Sequence, residues 1–394
     1  MASADLPESL VEDILSRLPV KSLKRFTCVN KSWSTLFQNP GFIAKHHRHF
    51  SQKNPTLLVS HRELITKNTV LSSHPVSNDN GSLDLNLETP FFNDDMQELN
   101  ILGACINGVI CLYDRPFQIS NQHPNDDLYR IALWNPAIRE FKVLPTRHVH
   151  CPSHVDYAYE GFGFGYDHKS NDFKVVRIVS FWDDSIVGPD RPPLVEVYTL
   201  STDSWRQIDT ILDASILSDP CKSEIYLNGA YHWLAYRSEQ PWPHGDTELI
   251  ISFDMSNEVF QIIKMPELED VSGMILKNFS VLNDCLALIF YSAEETVTAK
   301  NFDIWMMYEY GVKESWIKQF VVGPLVGIER PLGFAKNGEL LLVGNNGRVV
   351  LYNFGSGETK NLEVGGLPDS FHALQTIAYV ESLVSITSRI VFQN

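Results

Sequence analysis

The residues that first suggest chemistry are Gly161-Phe-Gly-Phe-Gly-Tyr166, alternating glycines of the kind that cradle a dinucleotide pyrophosphate. The dinucleotide fingerprint needs glycine at the sixth position, where Tyr166 stands, and a helix directly after it. Instead a polar turn comes next, Asp-His-Lys-Ser-Asn-Asp, leading into the strand-like run Phe173–Val179, so the glycines read as serving a tight β-hairpin. His46, His47 and His49 are zinc-binding types, but no Cys or carboxylate lies close by to complete a tetrahedral set. With Phe42 and Lys45 at helical spacing they read as a solvated basic helix. Trp134-Asn135-Pro136 looks site-like, yet Asn-Pro initiates turns and Trp134 alternates inward with apolar neighbours, which favours core and turn roles. There is no Walker sequence, no Gly-x-Ser-x-Gly elbow and no His-Glu-x-x-His pair. Six scattered cysteines without a Cys-x-x-Cys pair read as reduced thiols acting as small hydrophobes. No catalytic residue, metal or cofactor is expected.

Recognition chemistry is better represented. Residues 78–100 hold Asp79, Asp84, Glu88, Asp94, Asp95 and Glu98 and no Lys or Arg. Trp182-Asp183-Asp184 opens a long polar insertion that ends at Pro192-Pro193, and Trp242 stands between two prolines in a second insertion, residues 237–247. Insertions on a rigid scaffold are where specificity usually resides, and a Trp fixed by prolines offers large contact area at low entropic cost. The alternative for Trp242, a disordered loop with a chance burial, stays open. Net charge is −16, but residues 1–50 carry +3, leaving −19 on the remainder. An acidic body repels nucleic acid and anionic membrane and attracts a basic protein; the plainer reading is solubility.

The element that stands apart is Leu6 to Phe37. Leu10, Ile14, Leu15 and Leu18 recur at helical spacing opposite Glu12, Asp13 and Arg17. Pro7 suits a first helical turn, Pro19 forces the chain to turn, and Ser22 is expected to cap the next segment. Leu23, Phe26, Val29, Trp33 and Leu36 make a second apolar stripe. So small a unit cannot bury all of this within itself. Either the stripe packs on the rest of the chain or it is a docking face.

After Pro55 the chain changes to short β-type runs, with first strands at Thr56–Ser60 and Ile65–Leu71. Hairpins opened by Asn-Gly or Asn-Asp recur at Asn107, Asn228, Asn283 and Asn337, the last three about 55 residues apart. Paired strands ending each unit recur at 131–144, 195–208, 250–263, 302–316 and 349–362. Four short strands per period suit a β-propeller blade. The expected fold is therefore α+β: a small all-α module over residues 1–50, then an all-β propeller-like domain of about six blades over 51–394. A β-sandwich fits the strand count but not the recurring order. The run from Ala373 to Val384 is expected to close the ring on the strands near Thr56–Leu71. A closed ring needs no helical cap, which would leave Leu10, Ile14, Leu15, Leu18, Val29 and Trp33 partly free.

These residues carry two resemblances. Leu6-Pro7-Glu8, Ile14 through Leu23, and Arg25-Phe-Thr-Cys-Val29 through Trp33 closely resemble an F-box in its plant form, although Asn30 and Ser34 depart from the usual Cys and Arg. Leu133-Trp-Asn-Pro-Ala-Ile-Arg-Glu140, Gly161 to Asp167 with Asp172 to Arg177, Val195 to Tyr198 through Trp205-Arg206, and Leu227 to Trp233 resemble the F-box-associated domain of plant proteins, within which the chain looks most similar to S-locus F-box proteins. The resemblance implies a non-catalytic substrate receptor. Leu6, Pro7, Leu10, Ile14, Leu15, Leu18, Pro19, Leu23, Val29 and Trp33 would dock on a Skp-type adaptor, and through it on cullin and a RING subunit. The implied target is a non-self S-RNase or another basic protein. A different plant pathway is the first alternative, and a propeller that binds or modifies a sugar is the second. No secretory leader or apolar span is read from the sequence, so a cytoplasmic protein is expected.

Overall fold

The computed structural model describes residues 6–53, 56–65, 69–75, 85–87, 99–114, 130–150, 155–182, 192–217, 224–238, 246–268, 275–294, 299–362, 364, 368 and 374–387. Helix α1 (Glu8–Leu15) starts directly after Pro7, with Glu8 at the positive end of its dipole. α2 (Val20–Phe26) starts after Pro19 in the same way, so Ser22 lies inside its first turn and does not cap it. Lys24 and Arg25 sit in its last turn, where cations are favoured. α3 (Lys31–Leu36) is capped by Asn30, whose Oδ1 accepts from the Ser32 N–H at 2.9 Å. α4 (Pro40–Lys53) leads to the β region.

Six antiparallel sheets make up that region. Blade 1 is β1 (Thr56–Arg62), β2 (Thr69–Pro75) and the short β3 (Leu85–Asn86). Blade 2 is β4 (Leu99–Ile106), β5 (Val109–Asp114), β6 (Arg130–Asn135) and β7 (Glu140–Val143). Blade 3 is β8 (Asp156–Asp167), β9 (Asp172–Trp182), β10 (Leu194–Thr199) and β11 (Ser204–Gln207). Blade 4 holds β12 (Ser215–Ile216), β13 (Glu224–Leu227), β14 (Ala230–Ser238), β15 (Asp246–Asp254) and β16 (Val259–Lys264); β12 and β13 share the inner edge of β14. Blade 5 is β17 (Ile275–Leu282), β18 (Cys285–Ser292), β19 (Ala299–Met307) and β20 (Trp316–Val326). Blade 6 is β21 (Ile328–Phe334), β22 (Leu340–Gly344), β23 (Val349–Tyr352) and β24 (Thr359–Leu362). Finally β25 (Gln375–Tyr379) returns to β1, pairing Thr56 with Tyr379 through Ser60 with Gln375. The ring is closed by the chain's late strand on its earliest one, as the sequence pattern predicts, and the inner edge of blade 1 is thereby covered.

The tight turns have the chemistry their sequences require. Asn107-Gly108 and Asn228-Gly229 take positive φ at both residues, as does Asn283-Asp284, giving two-residue hairpins whose twist matches the strands. At Asn337 the loop is longer, closed between Ala335 and Glu339.

The core consists of six layers between neighbouring blades. Strand alternation explains how one strand serves two of them: Leu57 and Val59 of β1 pack toward blade 6, and Leu58 toward blade 2. The helical module does not stand free of this body. Leu15, Val20, Leu23, Phe37, Phe42 and Ile43 share one cluster with Ile138 of the β6–β7 turn and Leu383 beyond β25. Ring closure thus did not make the helical cap redundant. α4 lies between the other helices and the propeller, over the end where each innermost strand turns back; Asn107, Asn171 and Lys336 mark that end.

Candidate docking face and the interior sites

The expected docking residues divide by burial. Leu6 (57% exposed), Leu10 (45%), Ile14 (46%) and Val29 (69%) face outward, and Pro7 and Pro19 are exposed beside them. Leu18 and Trp33 are half-buried, and Trp33 packs against Phe26 with ring centroids 5.7 Å apart. Leu15 and Leu23 are buried in the module's own core. The reason is helical phase. Leu10 and Ile14, four apart, share one face of α1, whereas Val11 and Leu15 lie on the face turned to α2 and α4. The same helix fastens the module internally: Lys45 of α4 pairs with Glu12 at 3.2 Å, and Arg17 with Asp13 at 3.0 Å.

The histidines of α4 are not all on a solvated face: His47 and His49 are half-buried and His46 is interior. His46 is fully buried, hydrogen-bonded through Nε2 to the Leu18 carbonyl at 2.9 Å and stacked on Phe50, and its burial lowers its pKa. His49 Nδ1 meets the Ser16 hydroxyl at 3.1 Å. Among the described residues no three His, Cys, Asp or Glu side chains come together as a metal set. Burial pushes the Cys105 thiol up to about 11 and that of Cys111 well above the usual thiol range, so neither is a thiolate near neutrality.

The Gly161-x-Gly163-x-Gly165 run lies within strand β8, not in the turn after it. Its glycines make room for blade 4. A Cβ on Gly161 would come within 2.6 Å of Ile216, one on Gly163 within 2.8 Å of Trp233, and one on Gly165 would overlap Met255. Beyond them, Asp167 and Lys174 form a buried pair at 2.7 Å; Lys174 also reaches Glu258 of blade 4 at 2.8 Å. Burial opposes the charge of Asp167, but Lys174, Ser170 and Ser256 overrule it and hold its carboxyl well below the usual range. Arg177 binds Glu196 through Nε at 2.6 Å and lies over the Trp205 ring at 4.8 Å. The motif residues are joints between strands and blades. Trp134 is likewise core, as expected, and the Asn135 amide binds the chain beyond β25.

The innermost strands surround a central cavity of about 750 Å³ lined by Asn278, Ser280, Arg330 and Gln375 among others. The carboxylates on its described walls are Glu224, where β13 begins, and Asp284, in the β17–β18 turn, which places them toward opposite ends. Glu224 accepts a hydrogen bond from the Tyr231 hydroxyl at 2.9 Å.

Of the expected target-binding residues, Asp79, Asp84, Glu88, Asp94, Asp95, Asp183, Asp184 and Trp242 lie outside the described residues. Trp182 is the last residue of β9, at the end of the propeller remote from the helices. Among the described residues no helix is long and apolar enough to cross a membrane.

Comparison with known proteins gives matches over most of the chain. Residues 4–45 match the F-box domain, and residues 123–386 match the F-box associated beta propeller domain. The F-box protein CPR1 of Arabidopsis thaliana is 29% identical over 390 residues, covering 94% of this chain and 87% of that protein. An F-box/kelch-repeat protein of the same plant is 29% identical over 369 residues, covering 90% and 89%. A putative F-box/kelch-repeat protein, also from Arabidopsis thaliana, is 30% identical over 325 residues, covering 82% and 77%.

Proposed function

The chain belongs to the family of F-box proteins with an F-box associated beta propeller domain, and on that premise we propose that it is the substrate-recognition subunit of a Skp–cullin–F-box ubiquitin ligase. The observation that carries the reading is the exposure of the large apolar side chains Leu6, Leu10, Ile14 and Val29 on a module in which Leu15, Val20, Leu23, Phe37, Phe42 and Ile43 are packed. Pro7, Leu18, Pro19 and Trp33 complete the proposed adaptor face, and the buried Leu15 and Leu23 support it. The propeller holds the target at the end remote from the helices, where Trp182 ends its strand. Other subunits of the assembly pass ubiquitin to the target's lysines. The chain contributes effective concentration and orientation and no reacting side chain. It works in the cytosol.

The target is a basic protein. The −19 charge outside the first 50 residues supports this, because such a field accelerates encounter with a cation-rich partner. An S-RNase met in the pollen tube is the finer form of the reading. It rests on the S-locus resemblance and the charge, and the relatives named above carry no S-locus name. A receptor for another plant signalling or developmental target has the same adaptor face and differs only in what the far end holds. Co-purification with a Skp-type adaptor tests the receptor role, and binding to a panel of S-RNases separates the two targets.

A further inference from the structure

Strand β25 closes the ring, and residues 380–387 continue from it as a strap across the end of the propeller that carries the helices. The strap is tied on both sides. Toward the helices, Glu381 Oε2 accepts from the Val20 N–H at 3.2 Å, and buried Leu383 joins the cluster of Val20, Leu23 and Phe37. Toward the propeller, the fully buried Asn135 donates through Nδ2 to the carbonyls of Ser382 at 3.0 Å and Val384 at 2.8 Å. Glu140 then accepts from Ser385 Oγ at 2.6 Å, from the Ile386 N–H at 3.1 Å and from Thr387 Oγ1 at 3.1 Å. Ser382 lies so close over Gly108 of the β4–β5 turn that any Cβ there would overlap it.

Direct packing of the helices on the propeller is interrupted. A groove of about 1070 Å³ separates α4, at Ile43, Ala44 and His47, from Tyr166, Phe173 and Leu200 of blade 3, and residues of the strap form part of its wall. Another polar contact across this end is an exposed one, Lys336 Nζ to the Ser51 carbonyl at 3.4 Å. A module joined to a body over an open groove would rock about its connector unless something else fixed its direction.

We propose that the strap is an orientation latch: residues 380–387, held by Asn135 and Glu140, fix the direction in which the Leu6–Leu10–Ile14 face points relative to the far end of the propeller. Resting on the receptor reading for its consequence, this makes Asn135 and Glu140 positioning residues for ubiquitin transfer, since a rigid bridge confines the target lysines to a small volume. The Trp-Asn-Pro-Ala-Ile-Arg-Glu run then has a use beyond core and turn: its Asn and Glu grip the strap and its Ile138 packs on the module.

Single-molecule FRET on the full chain tests the latch, with dyes attached through non-canonical amino acids at the exposed positions Lys24 of α2 and Gln261 of β16. The intact protein should give one narrow population. An Asn135→Ala/Glu140→Gln variant, and a chain ended after Val380 that keeps β25, should each broaden that population at least twofold or split it, with the propeller's cooperative melt retained. An unchanged narrow population in both would overturn the latch. Should either lose its cooperative melt, Glu140→Gln alone decides, since it preserves volume and apolar packing, and an unchanged peak there is equally fatal. Adaptor binding is measured on the same samples. Its absence in the intact protein would refute the receptor reading and leave the FRET result on the latch standing.

Discussion

At the scale of residues, similar side chains have different consequences according to which face of a helix or strand they occupy. Leu23→Ala removes a fully buried side chain and should destabilise the protein by about 2–5 kcal/mol in urea denaturation. Leu10 and Ile14, half in water, should tolerate substitution with little change in that measurement. Gly163→Ala forces a methyl group against Trp233 and Tyr231 and should cost about 1–3 kcal/mol by overpacking, again read from denaturation. Asp167 predicts a pH effect. Its folded pKa lies below the unfolded value of about 3.9, so its contribution is complete well above that value and is lost progressively as pH falls past it and through the lower folded pKa. Melting temperature should therefore drop below about pH 5, and Asp167→Asn should make that drop shallower. An acid limb unchanged by the substitution would remove Asp167 from the explanation.

At the scale of elements, what the sequence discloses is set by distance along the chain. Helix starts at Pro7 and Pro19, the Asn-Gly turns and the blade period are local signals and read directly. Ser22 is a false cap because Pro19 has already begun the helix, one turn earlier than a hydroxyl cap would. The glycines of β8 are legible as non-catalytic, but their actual use depends on Ile216, Trp233 and Met255, more than fifty residues away. The same holds for the helical module. Its contacts with Ile138 and Leu383 are invisible to periodicity, so the apolar stripe could not be divided in advance into a buried side and a free side. The pairing of β25 with β1 was legible, because an unpaired late strand and an unpaired early one imply each other. Ending the chain after Pro368 should leave the inner edge of β1 bare and give insoluble protein. Ending it after Val380 should leave a closed, soluble ring. A soluble, monomeric product of the shorter chain with intact β-type circular dichroism would contradict closure by β25.

At the scale of the whole molecule, two ends matter: the helical module with exposed Leu6, Leu10, Ile14 and Val29, and the opposite end of a six-bladed ring. The charge asymmetry acts at this scale as well. Association with a basic target should slow steeply between low and physiological salt, because the Debye length shortens to about 8 Å, whereas adaptor binding through Leu10 and Ile14 should change little. Salt-insensitive target association would remove steering from the account. The central claim is tested most directly by titrating the intact chain, and its Leu10→Asp/Ile14→Asp variant, with a purified Skp-type adaptor in a calorimeter. The account predicts stoichiometric binding by the intact chain and a loss of at least about a hundredfold in affinity for the variant, two buried charges costing more than about 2.8 kcal/mol together, with the melting temperature unchanged. No binding by the intact chain, or equal binding by the variant, would contradict it.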